Sequence, residues 1–470
     1  MVFSSVSFLL FFLPILLACY FIVPSRCRSF RNLILLGFSL AFYACGGPKF
    51  LLLMLLSVGI NYVCGLLAGP AHSPNIRKLG AVAAVVLGLA LLGWFKYAGF
   101  FGSMLHAMIP AVPVPQVVLP IGISFFTFQG LSYVIDVYRG DAAVQKNILK
   151  VALYISFFPQ LVAGPIVRYT TVAEEIDSRE ESVSEFSAGA VRFLFGLGKK
   201  MLLANGVATV ADAAFGTANP SVAFAWLGAA AYTFQIYFDF SAYSDMAIGL
   251  GRMFGFHFLE NFNYPYISES ITEFWRRWHI SLSSWFRDYV YIPLGGNRCS
   301  RARNIFNLFA VWFLTGLWHG ASWNFICWGL WFFLLLIGEK FLWGTDLERF
   351  PRLFRHLYTM ILVLFSWVLF RADTLSAALA YFGAMFGSSG VLTDGNAVYY
   401  LLEYWPELLC CCIAALPVRQ WAEMQLQTRA TAGAQTALVW FPKLAAMALL
   451  ILAYGKLVTG SFNPFIYFRF

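Results

Sequence analysis

Long apolar runs, separated by short links that contain arginine, make up most of the chain. Val6 to Val23 has spanning length, and Leu33 to Leu67 is long enough for two passes interrupted at Gly46-Gly47-Pro48. Further apolar runs cover residues 79–101, 323–342, 355–370, 401–416 and 440–457. Because a helix needs roughly 20 residues to cross a bilayer, the pattern predicts an all-α bundle with about ten to twelve crossings or re-entrant pieces.

Two apolar runs contain residues that fit poorly in a simple membrane helix. Ile121 to Tyr138 carries Gln129 and Asp136, and residues 151–167 include Pro159 and the Gly164-Pro165 pair. Irregular or polar segments at membrane depth are tolerated where they are buried in protein or line a wet cavity. We therefore expect both segments inside the bundle, around a central tunnel.

A stripe of aromatic and aliphatic residues runs from position 271 to position 289. Its members recur at steps of three and four: Ile271, Trp275, Trp278, Leu282, Trp285 and Tyr289. Arg276, Arg277 and Arg287 lie off the stripe. This spacing predicts one continuous amphipathic helix that lies on the membrane surface.

A single histidine interrupts the apolar stretch from Phe313 to Phe325. An ionisable side chain is expensive in hydrocarbon, so His319 is either a functional residue or a hydrogen-bond partner of a neighbouring helix. Gly316 and Gly320 form a small-xxx-small pair, which predicts the close approach of another backbone beside the histidine. His72, His106, His257 and His356 have no comparable surroundings.

Composition supports a polytopic membrane protein. Of the 470 residues, 60% are hydrophobic and 12% charged, and the charged share is about half that of a soluble domain. The formal net charge is +9, but lysine and arginine cluster in the links between apolar runs, as the positive-inside rule requires, and this distribution argues against a nucleic-acid partner. Nine cysteines form no CxxC pair, and no metal site is predicted. We expect one membrane domain over residues 1–470.

The distribution of positive charge also predicts an orientation. Val6 to Val23 is preceded by no lysine or arginine and is followed by Arg26, Arg28 and Arg31. A secretory signal carries its positive charge before the apolar run, so we expect a retained helix with its N-terminus outside the cytoplasm. Counting onward along the chain places the C-terminus outside as well. A helical bundle of this kind is expected in the cytoplasmic (inner) membrane.

Aspartates and glutamates are concentrated in two places. Asp239 and Asp245 lie among aromatic residues, and paired carboxylates could perform acid–base chemistry. Charges within membranes usually pair, however, so we expect these two to be structural partners of nearby arginines. The acidic stretch from Glu174 to Glu185 is expected to be a surface loop.

Four stretches together resemble the membrane-bound O-acyltransferases. They read ENFNYPY at 260–266, EFWRRWH at 273–279, YIPLGGNR at 291–298 and LWHG at 317–320. Within that superfamily the chain resembles the alginate O-acetyltransferase branch, which modifies bacterial polysaccharides, and the resemblance extends from Phe3 to Phe470. It implies a signature core over residues 257–331.

The resemblance also implies a chemistry. An acetyl group would pass from a cytoplasmic thioester, with acetyl-CoA or an acylated carrier as donor and no permanently bound cofactor, to an extracytoplasmic polysaccharide such as alginate, cellulose or peptidoglycan. His319 would be the general base, while His279 would either take part in the chemistry or orient the donor near the cytoplasmic mouth. An extracytoplasmic acetyltransferase of the SGNH-hydrolase type is the implied partner.

The arginines of the signature are candidates for donor binding. Arg276, Arg277 and Arg298 could bind the phosphates of CoA, because guanidiniums match phosphate oxygens. Contact with anionic membrane lipids is the alternative. The general enrichment of arginine in cytoplasmic loops favours the lipid role for most of them.

An aromatic tail, SFNPFIYFRF, occupies residues 461–470. Similar endings occur in the polysaccharide-acetylating branch, which implies that Tyr467 carries the acyl group on its phenol; an anchor in the aromatic belt is the alternative. Two other functions remain open at this point. One is D-alanyl transfer to teichoic acid from a carrier protein, and the other is transport of a polysaccharide or lipid, although no convincing internal repeat supports transport.

Overall fold

The computed structural model describes residues 1–429, 432–459 and 465–466, and within these ranges the chain is helical and contains no strand. It divides into two compact units. The first comprises Met1–Phe193 with Ser244–Leu259, and the second comprises Leu194–Tyr243 with Glu260–Phe470. The predicted all-α class is confirmed.

The first unit is built from helices of very different lengths. In chain order these are Phe8–Phe12 (a π-helix), Leu13–Ile22, Arg28–Ala44, Pro48–Ala68, Pro74–Met108, Ile123–Arg139, Ile148–Ser156, Phe158–Leu161, Tyr169–Ser178 and most of Val183–Gly198.

The second unit contains most of the residues that the sequence marks as candidates. Its helices are Lys199–Ala204, Asn205–Gly216, most of Val222–Met253, Pro265–Ile267, Ile271–Arg277, Ile280–Phe286, Arg287–Tyr291, Arg301–His319, Trp323–Gly338, Glu339–Trp343, Gly344–Leu347, Arg352–Arg371, Leu375–Met385, Gly395–Ala414, Val418–Arg429 and Ala432–Thr459. The segments Lys199–Ala204, Arg287–Tyr291 and Glu339–Trp343 are π-helical, and Pro265–Ile267 is a 3₁₀ turn.

Six of the described helices are long and apolar enough to cross a membrane. They are Pro48–Ala68, Pro74–Met108, Trp323–Leu347, Arg352–Arg371, Gly395–Ala414 and Leu438–Thr459. Other apolar helices, such as Phe8–Ile22 and Leu375–Met385, are shorter. The protein is therefore a multi-pass membrane protein, which contains both long apolar helices and shorter ones.

The predicted break within the apolar run from Leu33 to Leu67 is confirmed. Arg28–Ala44 ends just before Gly46-Gly47, and the next helix begins at Pro48. Gly47 has a φ of +143°, a conformation that L side chains rarely adopt. Proline suits the first turn of a helix because an N–H at that position would have no carbonyl partner within the helix, so its absence costs nothing.

The two interrupted runs are packed inside the first unit, as expected. Gln129 and Asp136 are both buried on Ile123–Arg139. Phe158–Leu161 is a single helical turn, and the chain from 162 to 168 continues without regular helix and largely buried. Burial in protein satisfies the condition for irregular backbone in a membrane protein. The tunnel itself stays a prediction.

The acidic stretch from Glu174 to Glu185 was expected from the sequence to be a surface loop, but it is partly helical and partly buried. Tyr169–Ser178 is helical, and the partly buried Glu181 pairs with Arg28 and with Arg31, the latter at 3.0 Å. Burial raises the pKa of Glu181, but hydrogen bonds from Arg28 and Tyr20 outweigh it and bring the pKa down to about 2. Asp245 pairs with Arg192 at 2.8 Å, which confirms its expected structural role.

Large aromatic side chains form the core of the second unit. The Trp275 ring centroid lies 4.6 Å from that of Trp312 and 4.8 Å from that of Phe332, in both cases edge to face. Trp278, Trp328 and Trp367 belong to the same buried cluster. Such rings each bury about 150–250 Å², so this cluster dominates the packing of the unit.

Two glycines allow the helices Arg301–His319 and Trp323–Gly338 to pack closely. A Cβ added at Gly316 would lie 2.5 Å from the carbonyl oxygen of Phe325, and one added at Gly329 would lie 2.3 Å from that of Trp312. The predicted close approach beside His319 is thereby confirmed. It brings the C-terminal end of the histidine-bearing helix against the start of the next.

Candidate active site

The predicted single helix over residues 271–289 is wrong, because the chain breaks at His279. Ile271–Arg277 and Ile280–Phe286 are separate short helices, followed by the π-helix Arg287–Tyr291. Between them His279 has φ 44° and ψ 52°, the left-handed region that is uncommon for residues other than glycine. The stripe is buried in the unit except for the partly exposed Tyr289, whereas Arg276 and Arg287 are exposed.

Asn261 holds the chain in this broken conformation. Its Oδ1 lies 3.1 Å from His279 Nδ1 and accepts hydrogen bonds from Ser281 N at 3.2 Å and Ser281 Oγ at 2.9 Å. Its main-chain carbonyl accepts from Ile280 N at 3.0 Å. One buried asparagine therefore bonds to the histidine and to the first two residues of the following helix, which offsets the strain of the left-handed residue.

The hydrogen bonds of Asn261 also determine which nitrogen of His279 carries the proton. A backbone N–H can only donate, so the Asn261 atom that faces Ser281 N is the oxygen. His279 Nδ1 must then donate to that oxygen, and Nε2 carries the lone pair. Nε2 is buried and has no hydrogen-bond partner among the described residues.

Burial keeps His279 neutral. The residue is 1% exposed, lies outside the six membrane-length helices, and has its pKa lowered from 6.5 to about 3 by desolvation. At neutral pH it is an uncharged imidazole whose Nε2 carries a lone pair. Such a group accepts a hydrogen bond well but is a weak proton acceptor.

The helix that precedes the break is capped by side chains from two parts of the unit. Ser270 Oγ accepts from Glu273 N at 3.0 Å, a common N-cap contact. Glu339 accepts from Ile271 N at 2.7 Å and from Thr272 N at 2.8 Å, so a buried carboxylate satisfies the first free N–H groups. Sequence reasoning missed Glu339, although an acid within the apolar run 323–342 could have drawn attention to it.

His319 is held by different means. It is the last residue of Arg301–His319, is 8% exposed, and has its ring centroid 4.8 Å from Trp328 and 5.1 Å from Phe370, with nearly perpendicular planes. The carbonyl end of a helix favours the positive charge that forms when an imidazole takes a proton.

One indole ring contacts both histidines. The Trp318 centroid lies 5.9 Å from the His279 ring and 4.9 Å from the His319 ring. On the other side of His279, the Phe240 ring lies 4.7 Å away, edge to face. The two histidines, 40 positions apart in sequence, thus lie in one buried aromatic cluster of the second unit.

The three candidate arginines fall into two groups. Arg277 pairs with Glu273 at 2.9 Å and donates to the carbonyl oxygen of Asn263 at 3.1 Å, so it stabilises the local turn. Arg276 and Arg298 are exposed and form no ion pair with any residue that the structure describes. Of the three candidates, Arg276 and Arg298 therefore have guanidiniums available to an anionic ligand.

The end of the chain reaches the same unit. Tyr467 lies outside the described residues, but the preceding Phe465 and Ile466 are described and buried. Asp239, which the sequence indicated as a structural carboxylate, pairs with Lys200 rather than with an arginine. A structural partner was expected, but the expected arginine was wrong, because the partner is a lysine.

Comparison with known proteins yields consistent matches. The family model of the membrane-bound O-acyltransferases matches residues 142–379. The chain is 41% identical to the probable alginate O-acetylase of Azotobacter vinelandii and 31% identical to the peptidoglycan O-acetyltransferase of Helicobacter pylori, over all of this chain and 100% and 98% of those proteins. It is 29% identical to the teichoic acid D-alanyltransferase of Bacillus subtilis, over 52% of this chain and 65% of that protein.

Proposed function

The chain belongs to the membrane-bound O-acyltransferase family and is an acyltransferase, and we propose that it transfers acetyl groups from cytoplasmic acetyl-CoA to a polysaccharide outside the membrane. The full-length similarity to alginate O-acetylases favours alginate or a related polymer as acceptor. Peptidoglycan is the second candidate, on a similarity that is equally long but lower. D-alanyl transfer is less favoured, since that match covers about half of the chain.

One observation carries this proposal: two buried histidines in different surroundings share contact with one indole ring. Acyl transfer to a hydroxyl needs a base that removes the hydroxyl proton and groups that orient the hydroxyl against the carbonyl. A neutral imidazole of fixed tautomer and an imidazole that can hold a positive charge meet these two needs.

His319 acts as the general base. Its imidazole takes the proton from the acceptor hydroxyl while the hydroxyl oxygen bonds to the carbonyl carbon of the thioester. The carbon–sulfur bond then breaks, and the imidazolium returns the proton to the leaving CoA thiolate, so the products are an ester and a free thiol. Its place at a helix C-terminus supports the charged intermediate form.

His279 orients the reactants. Because its Nδ1 donates to Asn261, its Nε2 can accept a hydrogen bond from the acceptor hydroxyl or hold the donor in place. A neutral imidazole with a pKa of about 3 is poorly suited to remove a proton at neutral pH. The division of roles follows from the surroundings of each ring.

The first acceptor is Tyr467. A phenyl ester is more activated than an alkyl ester, so its acetyl group passes readily to a further hydroxyl. Both chain termini would lie at the extracytoplasmic face of the cytoplasmic membrane. There the tail would present the acetyl group to a partner acetyltransferase of the SGNH-hydrolase type. Arg276 and Arg298, the exposed guanidiniums, bind the phosphates of acetyl-CoA.

The test is acetyl transfer in proteoliposomes supplied with acetyl-labelled acetyl-CoA, with the label located by peptide mapping. The parent should consume the thioester and carry label in its C-terminal peptide, whereas Tyr467→Phe should carry none there. Parallel vesicles receive a D-alanyl thioester of a carrier protein. If the parent consumes only that second donor, or neither, the acetyltransferase proposal fails.

A further inference from the structure

A buried ion pair in the second unit has no part in the chemistry described above. Lys200 Nζ lies 2.5 Å from Asp239 Oδ1, and the two side chains are 2% and 4% exposed. Burying such a pair carries a desolvation penalty that the attraction between the charges can fail to offset. Apolar residues of similar volume often serve stability equally well, so a further role for the pair is worth seeking.

The pair contacts the end of the chain at two points. Asp239 Oδ2 accepts a hydrogen bond from the main-chain N–H of Ile466 at 2.6 Å. Lys200 Nζ lies 4.5 Å from the centroid of the Phe465 ring, within the range of a cation–π contact. Tyr243 adds an edge-to-face contact with the same ring at 5.1 Å.

These contacts have the character of a binding site. Each oxygen of Asp239 bonds to a different group, one to the buried ammonium and one to a main-chain N–H 227 positions away. A hydrogen bond to a carboxylate is stronger than one between neutral groups. The aromatic ring of Phe465 is held from two sides, and Ile466 is buried in the core of the unit.

The same site adjoins the two histidines. Phe240, the residue after Asp239, contacts the ring of His279 at 4.7 Å. Ile466 belongs to the cluster that contains Trp278 and Trp328, and Trp328 contacts the ring of His319 at 4.8 Å. A segment bound at Asp239 is therefore held next to the core that contains the candidate active site.

We propose that Lys200 and Asp239 form a docking site for Phe465–Ile466, which positions the next residue, Tyr467, for acyl transfer. This inference rests on the proposed role of Tyr467 as first acceptor. Lys200 and Asp239 are positioning residues, because they act through the tail and not on the reacting atoms. Because Asp239 bonds to a main-chain N–H, the site can hold Phe465–Ile466 although neither residue has a charged side chain.

The test uses substitutions in the tail, which leave the helical bundle intact. Ile466→Pro removes the main-chain N–H that donates a hydrogen bond to Asp239. Ile466→Val keeps this N–H and has a side chain of similar shape. Docking is measured on the full chain in detergent by the rate at which carboxypeptidase releases the last residues. We expect about 10-fold faster release or more for Ile466→Pro and near-parental release for Ile466→Val.

Acetyl transfer to Tyr467 is measured in parallel, together with binding of a non-hydrolysable acetyl-CoA analogue. Ile466→Pro should lower transfer by about 10- to 100-fold, the range for loss of a hydrogen bond to a charged group. Analogue binding should stay within about two-fold, because docking of the tail is separate from the donor site. Ile466→Val should match the parent in both.

A double-mutant cycle separates docking from a general effect of proline. In the Asp239→Asn background the carboxylate is gone, so the further loss on Ile466→Pro should be several-fold smaller than in the parent. An undiminished loss would show that proline acts elsewhere in the tail and would overturn the docking contact.

The outcomes distinguish this inference from the proposed function. If the parent transfers no acetyl group, the proposed function fails, while the carboxypeptidase rates still test the docking. If the parent transfers and the proline and valine variants behave alike in both assays, the docking site is refuted. If the proline variant loses protection but transfers normally, docking exists and does not position Tyr467.

Discussion

The two candidate histidines, His279 and His319, are held by opposite means. His279 lies in a left-handed break, hydrogen-bonded through Nδ1 to Asn261. His319 ends a regular helix and contacts mainly aromatic rings. The first arrangement fixes a tautomer and keeps the ring neutral, whereas the second places the ring at a helix C-terminus, an end that favours positive charge. We therefore expect His279 to orient the reactants and His319 to transfer the proton, and this difference can be tested.

The largest effect is expected at His319. His319→Gln removes the base and should lower acetyl transfer about 10²- to 10⁴-fold, the range of general base catalysis. Transfer is measured in proteoliposomes at saturating acetyl-CoA. His356→Gln is the matched control, since His356 lies in the same unit and bonds through Nδ1 to the carbonyl oxygen of Ser268. A His319 variant within about ten-fold of the parent would exclude it as the base.

A smaller loss is expected from His279→Asn. Asparagine tolerates the left-handed backbone and can donate to Asn261 as His279 Nδ1 does, but it has no counterpart of Nε2. If Nε2 orients the acceptor, transfer should fall about 10- to 100-fold while the protein stays folded. Equal activity of variant and parent would reduce His279 to a structural element of the turn.

Stability should depend on pH through His279. Its folded-state pKa of about 3 lies below the unfolded value of 6.5, so the unfolded state binds more protons between these values. Stability is therefore present above pH 6.5 and decreases as the pH falls, by at most about 1.4 kcal/mol per pH unit.

This slope is read from melting temperatures in detergent between pH 6.5 and pH 5, above the range in which Glu181 takes up its proton. The His279→Asn variant should show a clearly smaller decrease than the parent over the same interval. Identical curves would mean that the imidazole is not kept neutral by burial.

The smallest effects are expected on the arginines. Arg276→Ala and Arg298→Ala should each raise KM for acetyl-CoA by about two- to five-fold. Added salt should bring the KM values of variant and parent closer together, since exposed charges are screened. Arg277→Ala should instead lower the melting temperature, because it breaks the bonds to Glu273 and Asn263. Unchanged KM values would assign the exposed pair to contact with lipid.

Features that depend on local chemistry could be predicted from the sequence. Gly46-Gly47-Pro48 marks a break because glycine allows backbone conformations that other residues rarely adopt. Gly316 marks a close helix contact because it has no side chain. The pairing of Asp245 with an arginine follows from the expense of an isolated charge in an apolar surrounding. The helical class follows from the long apolar runs.

The break at His279 could not be predicted, for a physical reason. No glycine or proline marks it, and the stripe of buried aromatics keeps its spacing across it because Ile271–Arg277 and Ile280–Phe286 pack on the same core. The break depends on Asn261, and the cap depends on Glu339, 68 positions from Ile271. Contacts between distant positions leave no periodic pattern.

The helix Pro74–Met108 has a consequence for the surroundings of the protein. Its 35 residues make it about 52 Å long at 1.5 Å per residue, against roughly 30 Å for the hydrocarbon layer of a bilayer. A rod of this length must lean steeply or emerge into the headgroups, and either response changes with the thickness of the membrane. Acyl-chain length of the host lipid thus becomes a variable that acts on the first unit.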